Sequence, residues 1–142
     1  MTTILLWTYH AGSALFLGSI LTFVVGSMLG AHGSLDDLVC IRRLIRKATL
    51  VLTMPGLWLA ALSLAGLAFL QGVPAWRLLA LAFVLATSLT LILPATQACL
   101  RWAIASRTEA RLHPAFRAAY LKESIPGGLN VLIVLVLLFH QP

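Results

Sequence analysis

The ten basic and four acidic side chains of this 142-residue sequence are confined to three places. Asp36, Asp37, Arg42, Arg43, Arg46 and Lys47 form one group, and Arg77 stands alone. Arg101, Arg107, Glu109, Arg111, Arg117, Lys122 and Glu123 form the last. Residues 1–35, 48–76, 78–100 and 124–142 carry no charge at all. A helix that crosses a bilayer needs about 20 mostly apolar residues. The first three intervals are ample and the fourth is just sufficient. The pattern predicts four transmembrane helices over about 3–30, 48–71, 77–100 and 125–140. Membrane strands are far shorter and alternate in polarity, so helices are the expected spanning element. Hydrophobic residues make up 61% of the chain, more than a soluble domain of this size could hide. The expected fold class is all-α: an integral membrane four-helix bundle forming one transmembrane domain over residues 1–142. The first segment lacks a basic start, and its apolar run is too long for a signal peptide, so it is expected to remain as helix 1.

Basic residues favour the cytoplasmic side of a membrane. The first and third inter-helix segments hold nearly all of them, and the chain ends hold none. Both termini are therefore expected on the outer side. The net charge of +6 lies on one membrane face, where anionic lipid accounts for it; no nucleic-acid partner is expected. Cys40 and Cys99 fall near the cytoplasmic side and form no CxxC or CxxCH pattern.

Gly12, Ser19 and Gly26 recur every seven residues in helix 1, and Gly30 follows Gly26 as GxxxG. Such a seam is expected to pack closely against another helix, of this chain, of a second copy or of a larger membrane complex. His10 lies almost opposite it, with Leu6, Ala14, Leu17, Leu21, Val24 and Met28. Histidine facing lipid is disfavoured, so His10 is expected to have a partner. Pro55 and Pro94 each remove a helix hydrogen bond and predict kinks in helices 2 and 3. Trp7, Trp76 and Trp102 fall at membrane boundaries, whereas Trp58 is expected to pack inside. Arg77 is read as snorkelling to the headgroups, or as pairing with a cofactor carboxylate. Residues 101–124 are read as a loop with a short surface helix, and IPGG at 125–128 as a turn entering helix 4.

His10 and His140 fall toward the outer side, His32 and His113 toward the inner. Neutral imidazole is a common haem ligand in membrane helices. His10 and His140 are therefore the candidate metal and cofactor ligands, with haem b the candidate cofactor. For His10 the alternative is a plain interhelical hydrogen bond. Met28, Met54, His10 and His32 are the candidate copper ligands, but Met28 is four to five turns from His10, so they form no single site.

The helix-1 histidine followed by FLGS (His10, Phe16 to Ser19), Met54-Pro55-Gly56-Leu57, Trp76, and Pro94 with Gln97 and Arg101 together resemble a known pattern. It is that of an uncharacterised family of small bacterial four-helix membrane proteins, DUF2269. The resemblance covers nearly the whole chain and implies a multi-pass protein of the bacterial inner membrane. His10, His32, Pro55-Gly56 and Phe116-Arg117-Ala118 are similar in order to the bacterial membrane protoporphyrinogen oxidases and the copper-resistance membrane domain. That likeness implies a fold and a haem pocket near His10. Those oxidases use a lysine within helix 3, where this chain has Ala80. The expected function is a b-type haem-associated membrane protein, in electron transfer or haem-linked redox chemistry, with His10 as an axial ligand. One alternative is a non-enzymatic accessory subunit, docked by its glycine seam to a larger complex or to its own copy. The other is copper or small-solute handling. The sequence has no nucleotide loop, no paired intramembrane carboxylates and no nucleophile–base arrangement, which leans against an enzyme.

Overall fold

A computed structural model describes residues 1–30, 32–108 and 112–140. Among these residues there is no strand, and four helices are long and apolar enough to cross a membrane. They are α1 (Thr2–Gly30), α2 (Leu35–Gln71), α3 (Ala75–Ala105) and α4 (Pro114–Phe139). In each helix less than half of the most apolar stretch is buried inside the chain. Leu21, Val51, Leu62, Leu79 and Leu132 are all more than 60% exposed along the outward faces. A bundle that leaves this much apolar surface outward is built for lipid.

The helices run up, down, up and down. Gly12 lies against Gly56 and Ala60, Ser19 bonds Thr53, and Gly26 meets Ile41 and Ile45, so α1 and α2 are antiparallel. Asn130 meets Ser88, and Glu123 meets Thr96, which sets α4 antiparallel to α3. The helix ends Thr2 and Phe139 therefore share one end of the bundle. Among the described residues, the opposite end carries every charged side chain except Arg77. Short connections fix this order. Ser34 caps α2: its hydroxyl accepts from the Asp37 N–H, while Asp37 Oδ2 accepts from the Ser34 N–H. Gly72 ends α2 at a φ of 71°, a left-handed conformation open to glycine without strain, and Pro74 follows.

The charged segments are helical, which extends the expected spans. α2 begins at Leu35, well before residue 48, and α3 continues to Ala105. In place of a surface helix in a long loop, α4 begins at Pro114 and runs through Pro126, so IPGG is a helix interior and not a turn. Pro55 and Pro94 are each preceded by a π-helical turn, Thr49–Thr53 and Ser88–Ile92. There the Met54 N–H reaches the Thr49 carbonyl, and the Leu93 N–H reaches that of Ser88. The wider turn carries the hydrogen-bond ladder past a residue with no N–H. Trp58, expected inside, is 47% exposed on the outward face. The apolar core, with Phe16, Leu57, Leu64, Val84, Val134 and Leu137, fills the half of the bundle nearer the helix ends Thr2 and Phe139.

Candidate functional site: a buried ion pair beside an apolar-walled cavity

The charged half is built around polar groups. Arg42 lies on the α2 face formed by Leu38, Ile41, Ile45 and Thr49, at helical spacing. Ile41 and Ile45 pack beneath Gly26, and Leu38 beneath Gly30, so this face turns into the bundle and takes Arg42 with it. Glu123 lies on the inward stripe of α4 with Ala119, Asn130 and Val134. The two side chains are 2% and 3% exposed. Arg42 Nη1 donates to Glu123 Oε2 at 2.8 Å, the one salt bridge among the described residues. The Thr96 hydroxyl, from α3, lies 2.7 Å from Glu123 Oε1 and 2.9 Å from the Ile92 carbonyl. The Cys99 thiol also reaches this carboxylate. The guanidinium carbon lies 5.1 Å from the Tyr120 ring centre, 5.4 Å from that of Phe116 and 5.9 Å from that of Phe23. An aromatic cage of this kind attracts a cation whose water has been removed. All four helices thus converge on one charge pair.

Glu123 also forms part of the wall of a cavity of about 320 Å³. Phe16, Ile20 and Phe23 of α1 and Val131 of α4 give it apolar sides, and Ser19, Thr49, Thr53 and Ser124 add hydroxyls to the lining. α1 and α4, which touch little, both line the cavity. Gly127 and Gly128 of α4 belong to the lining, and a Cβ at either would meet nothing within 4 Å, so there is open space at both. Val24, also in the lining, is 44% exposed. Small-molecule sites of about 300 Å³ and above have this composition: apolar walls and a few convergent polar groups.

The candidate residues from the sequence lie in the other half. His10 is half-buried on α1, its ring edge-on to Tyr9 with centres 5.6 Å apart. His140 is exposed and caps the end of α4. Arg77 sits over the Trp76 ring at 5.5 Å, and its charge reaches Tyr9, the neighbour of His10. These three share an end of the bundle. Five clefts run from mid-bundle to the charged end, and none of the five is lined by His10, His140 or Arg77. Among the described residues no group of three His, Cys, Asp or Glu side chains could hold a metal. Where α1 meets α2, a Cβ on Gly12 would already lie 2.5 Å from the Gly56 carbonyl, so no group is held between the two helices at that level, and His10 lies on the other side of α1. His32 bonds the Met28 carbonyl through Nδ1, and Met28 itself is 67% exposed. His113 stacks on Trp102 and accepts the Ala115 N–H.

The glycine seam is used within the chain. Gly12 faces Gly56 and Ala60, Ser19 accepts a hydrogen bond from Thr53, and Gly26 and Gly30 receive Ile41, Ile45 and Leu38. A second chain would have to dock elsewhere.

The charge pattern puts Arg42 and Glu123 in inter-helix segments, whereas in the structure both lie on inward helix faces. The signal that places them was present as spacing. Each occupies a position in an apolar stripe, at three- and four-residue intervals, that runs into a transmembrane helix. Comparison with family models, curated proteins and solved structures finds no match for this chain.

Proposed function

We propose that this protein is a small multi-pass protein of the bacterial inner membrane that binds an amphiphile entering from the bilayer. In this reading the basic end faces the cytoplasm and both helix ends Thr2 and Phe139 face out. The observation that carries it is the cavity lined by α1 and α4, with open space at Gly127 and Gly128 and with Glu123 of the buried Arg42–Glu123 pair in its wall. Ionisable groups inside membrane helices are rare and mark ligand or ion positions. An apolar body fits the side walls, and a polar head meets Glu123, Ser19 and Thr49. The role is binding and handling of a small solute, not a chemical step.

The test is calorimetric titration of the purified protein in phosphatidylcholine nanodiscs with dodecanol, set against protein-free discs. Saturable binding is expected, and leucine at Gly127 or Gly128 should abolish it while leaving the helix content unchanged. Purely partition-like uptake, identical in both variants, would overturn the reading.

A haem-associated role is the second reading. It is favoured by His10, half-buried two to three turns into a membrane helix. Since the α1–α2 side is closed, the ring would lie on the outward face of α1, between copies of the chain or against a larger complex. Reduced-minus-oxidised absorption of the same preparation decides it. Near-stoichiometric haem bands lost in His10→Ala support it, and a featureless spectrum removes it.

A further inference from the structure

Resting on the amphiphile reading, we infer that the occupant's head group is an uncharged hydrogen-bond donor: a hydroxyl on a long apolar body, as in an alcohol, a phenol or an acylglycerol. The inference comes from counting protons on the cavity's polar wall. A hydroxyl has one proton to donate and two lone pairs to accept with. The Thr49 proton is committed to the Ile45 carbonyl at 2.9 Å. The Thr53 proton goes to Ser19 Oγ at 2.7 Å, and the Ser19 proton goes to the Phe16 carbonyl at 2.7 Å. Glu123, held against Arg42 as a carboxylate, has none. Any further hydrogen bond at these four groups must therefore be donated by the occupant. Ser124, whose buried hydroxyl has no partner in the chain, can serve in either direction. The wall accepts and scarcely donates.

Charge narrows the choice. Glu123 already has its counter-ion in Arg42, so the pair is neutral as a unit. An ammonium head would enter as an unpaired cation in an apolar site, at a desolvation cost that nothing offsets. A carboxylate or phosphate head would face four acceptors and a negative charge. A hydroxyl brings a donor and no net charge.

The experiment titrates one tail with four heads into the same nanodiscs at pH 7: dodecanol, dodecyl methyl ether, dodecylammonium and dodecanoate. After correction for partition into empty discs, dodecanol is expected to bind about three- to tenfold tighter than its methyl ether, the range of one net hydrogen bond. The ammonium and carboxylate should bind at least about tenfold weaker than the alcohol. Thr49→Val removes one acceptor and leaves the ion pair in place. It should narrow the gap between alcohol and ether without changing ether binding. Equal binding of alcohol and ether, or tighter binding of either charged head, overturns the donor-head inference and leaves the cavity reading standing. No saturable binding by any of the four overturns both.

Discussion

Arg42 and Glu123 show how unequal the two ways of removing a charge pair are. Each side chain is almost wholly buried, and each is held by the other and by Thr96 or an aromatic ring. Taking away one partner leaves a naked charge among helices that face lipid. Glu123→Leu alone or Arg42→Met alone is expected to cost about 3–5 kcal/mol. Arg42→Met combined with Glu123→Leu should cost much less than the sum, because no charge is left behind. Unfolding in mixed micelles by denaturing detergent, run as a double-mutant cycle, checks this. Strictly additive losses would mean that the two residues act separately. The same pair marks the limit of what the sequence discloses. Charge order places Arg42 in the segment between the first two spans, and the structure puts it near the start of α2. Its direction does not follow from charge, which says how a residue prefers to sit and not which neighbours surround it. Only the stripe of Leu38, Ile41, Ile45 and Thr49 carries that information.

At the level of helices, the number of spans is legible because each span requires a long uncharged interval. The helix ends are not, because charge marks where the bilayer stops and a helix can continue into water. α2 is 37 residues long, about 55 Å, against a hydrocarbon core of about 30 Å. The helix is thus longer than the apolar layer is thick, and its first turn, with Asp36 and Asp37, is held by the Ser34–Asp37 cap. The packing of α1 on α2 gives a test at this scale. A Cβ at Gly12 would lie 2.5 Å from the Gly56 carbonyl and 2.7 Å from the Ala60 nitrogen, both backbone atoms that cannot turn aside. Gly12→Leu must push the helices apart and should abolish the compact fold, read as loss of a cooperative thermal transition. Gly18, on the same helix, has nothing within 4 Å of the corresponding position. Gly18→Leu should melt at or above the wild-type temperature, since glycine within a helix costs about 0.5–1 kcal/mol relative to alanine. Equal sensitivity at both positions would show that helix propensity, and not contact, governs α1.

For the molecule as a whole, the proposed orientation rests on the basic residues at one end and makes a chemical prediction. Cys40 is exposed on the charged part of α2, and Cys99 is fully buried beside Glu123. A membrane-impermeant maleimide is expected to label Cys40 in inside-out vesicles and to spare it in intact spheroplasts. Cys99 should stay unlabelled in both until the protein is unfolded. Labelling of Cys40 in spheroplasts would invert the topology. The ion pair also has a consequence in time. Arg42 is made 81 residues before Glu123. At synthesis rates of roughly 5–20 residues per second, it waits about 4–16 s for its counter-charge. Throughout that interval the nascent first hairpin carries a cation that has nowhere to go but the headgroup layer. α4 is thus the helix that completes the first two, and a chain arrested before it would be left as an open hairpin recognisable to quality control by an inward-facing cation, Arg42, with no counter-charge.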